Sequence, residues 1–143
     1  MFYCDSSLVV AVLVVESHTD VARSWMARHD AALSASAWVA AEVASALAQK
    51  QRMKALSAEE RARAQRVWST ALAPRIMNAD VAPEDFRRAA TLVDMGRRGL
   101  RAADALHLAI AERLGLDMAT LDDDLVDAAR AIGLDAPDIR AQA

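Results

Sequence analysis

An α/β fold with a central, mostly parallel sheet of four to five short strands is what this sequence predicts, and three observations carry the prediction. Short apolar segments alternate with longer helical patterns along the chain. No two strand candidates are joined by a hairpin signal, which favours crossover connections with helices on both faces of the sheet. Asp5 and Asp122 each fall just after a strand candidate, at the carboxyl edge where such sheets bind their ligands.

The elements follow in order. Met1–Cys4 predicts a short buried strand. Ser6–Val15 is apolar throughout and fits strand or helix by periodicity. The N-capping residues Asp5, Ser6 and Ser7 in front of it favour a helix. His18–His29 reads as an amphipathic helix with Val21, Trp25 and Met26 on one side. Ala31–Ser34 predicts a second short strand, and Trp38–Arg52 a helix with Val39, Val43 and Leu47 at four-residue steps. Lys50–Lys54 is then a turn within one domain.

Ser57-Ala58-Glu59-Glu60 is a capping-box pattern that opens a helix running to about Leu72, with Pro74 helping to end it. Arg75–Ala79 is a weak strand candidate. Pro83 opens a helix at its first turn, ending near Gly96 and Gly99. Ala102–Leu114 predicts a helix closed by Gly115, Leu116–Thr120 a strand, and Asp123–Ile132 a last helix closed by Gly133. A final short strand is expected around Leu134.

A chain of 143 residues suits one domain spanning residues 1–143. An apolar fraction of 55% excludes disorder, and its high alanine content points to close-packed helices. The net charge of −3 argues against coating nucleic acid by bulk electrostatics. Local arginine surfaces remain available at Arg61-Arg63-Arg66, Arg87-Arg88 and Arg97-Arg98-Arg101, although solvated helix faces are the simpler reading of each. The single cysteine, Cys4, permits no internal disulfide and reads as a core thiol. The run Leu8–Val15 is too short to span a membrane and lacks a basic flank, so a cytoplasmic location without membrane contact is expected.

The chemistry lies in isolated acids. Asp5 is the only charged side chain between Met1 and Val15, and Glu42 the only one between Ala31 and Gln49. Asp104 and Asp122 complete the set. A carboxylate surrounded by apolar residues must be paired, protonated or metal-bound. Each has a local explanation too. Asp5 reads equally well as an N-cap, Glu42 as a glutamate reaching solvent, Asp104 as an anion in a first helical turn paired with Arg101, and Asp122 as a cap that Asp123 or Asp124 could replace. Taken together, acids far apart in sequence with few cations beside them predict convergence on a hard divalent cation such as Mg²⁺ or Mn²⁺. Rival chemistry is missing: there is no GxSxG, HExxH, Walker loop or GxGxxG. The only lysines, Lys50 and Lys54, follow no strand, which argues against a receiver-type phosphorylation site. His107, three residues beyond Asp104, reads as a core or rim histidine with a substrate-orienting role as the alternative. His18 and His29 read as surface residues, and Trp25, Trp38 and Trp68 as packing residues.

Four segments taken together resemble the PIN-domain ribonucleases, most closely the VapC-type toxins of toxin–antitoxin pairs. They are Phe2-Tyr3-Cys4-Asp5-Ser6-Ser7, Ala41-Glu42-Val43, Ala103-Asp104-Ala105-Leu106-His107-Leu108-Ala109 and Ala119-Thr120-Leu121-Asp122. The resemblance covers nearly the whole chain and implies a three-layer PIN-like fold. It further implies a Mg²⁺- or Mn²⁺-dependent endoribonuclease whose metal-binding acids are Asp5, Glu42, Asp104 and Asp122. Ser6 and Thr120 match positions that support those acids. The run Asp122-Asp123-Asp124 departs from the family, which usually has one acid there, so Asp123 or Asp124 could assist. A homodimer and a small cognate antitoxin are implied as partners. Arg98 and Arg101 are the candidates for contacting the RNA backbone. The alternatives are a metal-dependent nuclease or phosphatase with another substrate, and a non-catalytic PIN-like binding module.

Overall fold

The computed structural model describes residues 1–95 and 99–142. Its centre is a parallel sheet of four strands: β1 (Phe2–Cys4), β2 (Leu33–Ala35), β3 (Met77–Asn78) and β4 (Asp117–Ala119), in the spatial order β3-β2-β1-β4. In register, Tyr3 faces Ser34 on one side and Met118 on the other, and Cys4 faces Ala119. The helices are α1 (Ser6–Leu13), α2 (Thr19–Arg28), α3 (Ala37–Arg52), α4 (Ala58–Val67), α5 (Pro83–Asp94), α6 (Ala102–Leu114) and α7 (Asp123–Ala131).

Strand order places the site. From β1 the chain steps outward through β2 to β3, then returns past β1 to β4. Right-handed crossovers therefore send α1–α4 over one face and α5–α6 over the other. Packing of α1 on α2 and α3, and of α5 on α6, follows that division. The reversal occurs between β1 and β4, which makes their shared carboxyl edge the switch point of the sheet.

Local chemistry sets the element ends. Asp5 Oδ1 accepts the Leu8 N–H at 3.3 Å and starts α1, whose Leu8–Ala11 turn is buried. The Ser57–Glu60 capping box forms as predicted, with bonds of 3.1 and 2.7 Å. Gly115 ends α6 in the left-handed region at φ 63°, where a side chain would be strained. Helix α6 is buried continuously from Ala105 to Ala111 and forms the middle of its layer.

Several expectations change. The helix after Ser57 does not run unbroken to Leu72: α4 stops at Val67, a π-helical turn covers Trp68–Leu72, and a 3₁₀ turn covers Ala73–Arg75. Pro74 has no N–H to continue the α ladder, and the Ser69 and Thr70 hydroxyls both compete for the Arg66 carbonyl, at 3.2 and 2.7 Å. Among the described residues no strand forms at Leu134. The Met118 N–H donates to Asp135 O at 2.8 Å, a single bond rather than a ladder, because the tail is pinned elsewhere. Arg130 holds the Ala136 carbonyl at 2.6 Å, and Arg140 grips both Asp123 oxygens and the Leu121 carbonyl. His29 also differs from a plain surface residue: it stacks on buried Trp25 with ring centroids 4.1 Å apart. Among the described residues no helix is long and apolar enough to cross a membrane.

Two arginine clamps fix α5 on α6. Arg88 binds Glu112 through Nε and Nη2 at 2.6 and 2.8 Å, so it is not a merely solvated residue. Arg113 binds Asp85 at 2.7 and 2.9 Å and the Asp80 carbonyl at 2.6 Å. Asp85 is only 1% exposed. Burial works against its charge, but the bonds from Arg113 and from the Ala82 N–H outweigh it and hold the carboxyl below the usual range. Replacing Arg113 by Met leaves that carboxylate buried and nearly alone, at an expected cost of about 3 kcal/mol in urea unfolding at neutral pH. A depressed folded-state pKa contributes stability above the ordinary carboxylate range and loses it as pH falls through the folded value. The gap between wild type and Arg113→Met should therefore narrow in acid; a constant gap across pH would remove Asp85 from the explanation.

Candidate active site

The carboxyl edge shared by β1 and β4 gathers the acids. Asp5 directly follows β1, and its N–H donates to the Ala119 carbonyl of β4 at 3.2 Å, so the two strand ends leave the sheet side by side. Asp122 follows β4 by one short turn. It caps α7, with Oδ1 accepting the Asp124 and Leu125 N–H groups at 2.9 and 3.2 Å. Hydroxyls join the two acids. Ser7 Oγ donates to Asp5 Oδ1 at 2.8 Å, accepts the Leu121 N–H at 2.9 Å, and lies 3.2 Å from Thr120 Oγ1, which accepts the Asp122 N–H at 3.0 Å.

Glu42 and Asp104 approach from helices α3 and α6. His107, one helical turn after Asp104, bonds Glu42 Oε2 through Nε2 at 2.6 Å. Its other ring nitrogen lies 3.1 Å from the Tyr3 hydroxyl, which is 2.6 Å from Ser36 Oγ. His107 is 1% exposed, so the bond reaches from the core to the half-buried Glu42. The histidine also interacts electrostatically with Asp5 and Asp104, and Asp104 with Asp122. Hydrogen bonds thus join Asp5 to Asp122 and Glu42 to His107, and electrostatic interactions relate the two groups to each other and to Asp104.

The charges are unevenly balanced. Asp5 is 4% exposed, and burial raises its carboxyl above the ordinary range despite the His107 field and the bonds from Ser7 and Leu8. Asp104 is also raised, by burial and then by the nearby Asp122, with Arg101 and His107 opposing. Glu42 goes the other way: burial would raise it, but the bond and charge of His107, helped by the Ser6 hydroxyl, bring it below its ordinary value. Burial also raises the Tyr3 hydroxyl strongly, keeping it protonated, and pushes the Cys4 thiol up to about 12, which keeps it inert.

A cleft of about 360 Å³ opens beside this edge, with Arg101, Asp104, Asp122 and Asp124 among its walls. Arg101 lies 3.7 Å from Asp104, and its side chain is 82% exposed. Asp124 faces the cleft, whereas Asp123 turns to Arg140 at 2.9 and 3.0 Å. Arg98 lies outside the described residues. Among the described residues, no three acidic, histidine or cysteine side chains already close on one point as metal ligands. The sequence reading missed Ser7, Tyr3 and Ser36. Their signal was a hydroxyl placed in or beside an apolar strand, where a buried polar group must find a partner.

Comparison with known proteins agrees with this architecture. No curated protein is a significant match in sequence. Among solved structures, FitAcB from Neisseria gonorrhoeae superposes with a TM-score of 0.72 at 17% identity, covering 98% of this chain and 99% of the other. VapC20 from Mycobacterium tuberculosis, a sarcin-ricin loop cleaving toxin, gives 0.70 at 17% identity over 94% and 96%. VapBC2 from Rickettsia felis, solved bound to a promoter DNA fragment, gives 0.66 at 14% identity over 96% and 98%. At such identities the likeness is one of fold. The PIN domain family itself matches over residues 2–131, which takes in Asp5, Glu42, Asp104 and Asp122, and the chain belongs to that family.

Proposed function

We propose that this chain is a divalent-metal-dependent endoribonuclease and the toxin of a toxin–antitoxin pair. The observation that carries the reading is that Asp5, Glu42, Asp104 and Asp122 stand together at the switch point of a PIN fold, Asp5 and Asp122 joined through hydroxyls, Glu42 bonded to His107, and Asp104 within the electrostatic reach of Asp122 and His107. The structural likeness to a toxin that cleaves the sarcin-ricin loop supports RNA as the substrate class.

The donor set suits a hard cation. It offers carboxylate oxygens without thiolates, and the raised Asp5 and Asp104 mark negative charge that the protein leaves underbalanced. Asp5, Glu42, Asp104 and Asp122 would hold Mg²⁺ or Mn²⁺. The chemistry such an ion supplies is activation of water for in-line attack and neutralisation of charge on the phosphate. Asp5 is held in place by Ser7 and the Leu8 N–H, and Asp122 by the first turn of α7, so neither must reorganise much to bind. Glu42 is held by His107 in its ionised form, ready to act as a ligand. Arg101, exposed at the mouth of the cleft, is suited to a phosphate of the RNA backbone. An apolar groove of about 550 Å³, walled by Trp38, Phe86, Val93 and Leu106, supports a protein partner close to the site. The FitAB and VapBC2 complexes among the similar structures make an antitoxin the expected partner; a second copy of the chain and a cytoplasmic location complete the proposed reading.

The electrostatics yield a stability test. Because the pKa values of Asp5 and Asp104 are raised in the folded state, their contribution is fully present below the ordinary carboxylate range and is lost as pH rises through the raised values. Metal-free protein should melt lower at neutral than at mildly acid pH on this account. Mg²⁺ or Mn²⁺ should restore the neutral-pH melting temperature. Asp5→Asn should raise it without metal and blunt the response to metal. An Asp104→Asn protein with the full metal response would count against Asp104 as a ligand.

Activity supplies the second test. Purified protein should cut RNA with Mg²⁺ or Mn²⁺ and stop in EDTA. Asp5→Asn or Asp104→Asn should lower turnover by about a hundredfold or more with the fold intact. Arg101→Ala should instead weaken RNA binding and flatten its salt dependence by about one phosphate contact. Wild type should slow growth of a bacterial host and Asp5→Asn should not. Intact RNA across a broad panel, with both forms equally harmless, would sink the toxin reading in favour of a binding module; cleavage of DNA or small phosphoesters alone would redirect the substrate.

A further inference from the structure

The unusual feature of this site is that one of its acids is wired to the core. Both ring nitrogens of His107 are engaged by side chains. Nε2 meets Glu42 at 2.6 Å, and Nδ1 meets the Tyr3 hydroxyl at 3.1 Å. Tyr3 in turn meets Ser36 at 2.6 Å. These partners come from β1, from the start of α3 and from the first turns of α6, three elements that the sheet and its crossovers fix independently. An ionised carboxylate has no proton to give, so the hydrogen in the short bond belongs to Nε2. Nδ1 and the Tyr3 hydroxyl form the next link and Tyr3 and Ser36 the last, and either oxygen of that last pair could be the donor. A continuous chain of hydrogen bonds thus links Ser36, Tyr3, His107 and Glu42.

We propose that His107 is a positioning residue, which fixes the Glu42 carboxylate for metal binding and is itself held in place by Tyr3 and Ser36; the inference rests on the metal-dependent reading above. A glutamate near a helix surface has three rotatable bonds and samples many orientations. Glu42 has Ala41 and Val43 as neighbours in sequence, and neither can orient it. The bond from a residue that is 1% exposed is the largest restraint on that freedom, beside the contacts with Ser6 and Trp38. Ring orientation is fixed in turn by packing: His107 tilts against Tyr3 with centroids 5.6 Å apart. Partners of ligating groups that fix their direction typically change metal affinity by ten- to a hundredfold when removed.

Calorimetric titration of Mn²⁺ separates positioning from mere packing. His107→Leu should weaken Mn²⁺ binding about tenfold or more. His107→Gln, whose amide N–H stands near the Nε2 position, should recover most of it. In a Glu42→Gln background, His107→Leu should add nothing, since the effect passes through Glu42. Folded His107→Leu with wild-type affinity, or additive losses in the double variant, overturns the proposal. Should His107→Leu fail to fold, Tyr3→Phe carries the test, because it keeps the ring and removes only the hydroxyl. Tyr3→Phe should weaken Mn²⁺ binding, because the His107 ring loses its second hydrogen-bond partner. The same affinity in wild type and a folded Tyr3→Phe overturns the proposal. Wild type that binds no Mn²⁺ overturns the metal reading and this one together. Wild type that binds Mn²⁺ and cuts RNA, with the His107 and Tyr3 variants unaffected, overturns this one alone.

Discussion

Pairing of β1 with β4 is the constraint on which the rest of this structure depends. It lays Cys4 beside Ala119, so that the next residues, Asp5 and Thr120, leave the sheet together. The backbone bond from Asp5 N–H to Ala119 O extends that register beyond the strands. Every later contact of the site uses it: Ser7 reaches Thr120 and Leu121 only because the first turn of α1 starts where β4 ends. A parallel pair cannot be closed by a short turn, so the intervening chain must cross over. The crossovers bring α3 and α6 to the same edge, with Glu42 on one and Asp104 and His107 on the other. Acids that are far apart in the chain become neighbours as a consequence of strand order.

Gathering carboxylates has an electrostatic cost, and the structure distributes it unequally. Asp5 bears burial alone, and Asp104 bears burial and then the repulsion from Asp122. Glu42 escapes because His107 stands against it. Hydrogen bonds from Ser7 and from helix N–H groups reduce the cost for Asp5 and Asp122 without cancelling their charge, which is the state a cation-binding site requires. Stability must then come from elsewhere. The core from Tyr3 to Ile139 supplies most of it, and the Arg113–Asp85 and Arg88–Glu112 clamps hold α6 steady beneath Asp104. Proteins commonly offset a costly site with such rigid surroundings.

What could be read in the sequence was local. The bounds of α6 were legible because its stop is a glycine that tolerates φ 63° and its apolar run is long. Asp5 and Glu42 stand out in the sequence because each is the only charged side chain in a long apolar stretch, whereas Asp104 has Arg101 nearby and Asp122 opens an acidic run. The break in α4 was not, since a periodic pattern runs through it and only the hydroxyls of Ser69 and Thr70 disturb the ladder. The missing strand at Leu134 reflects the same limit. Arg130 and Arg140 decide where the tail goes, and a bond between residues 19 positions apart leaves no periodic trace. The network of the site was the least legible. Tyr3 meets Ser36 across 33 residues and Ser7 meets Thr120 across 113, and neither spacing is a pattern that any single segment contains.

His107 shows why core and site cannot be separated here. Its place among Ala105, Leu106, Leu108 and Ala109 made a core residue the natural reading, and at 1% exposure it is one. Yet a buried histidine needs partners for both nitrogens, and an apolar helix supplies none. The partners must be polar groups that other elements bring to it, and the polar groups within reach are those of the site. Burial therefore forces the connection: the more completely the core encloses His107, the fewer places its Nε2–H can go. Glu42, half-buried at the same edge, receives it. The result is a carboxylate whose direction is set by the packing of β1 against α6, so a change of packing around Tyr3 reaches the site through a hydrogen bond rather than through the backbone.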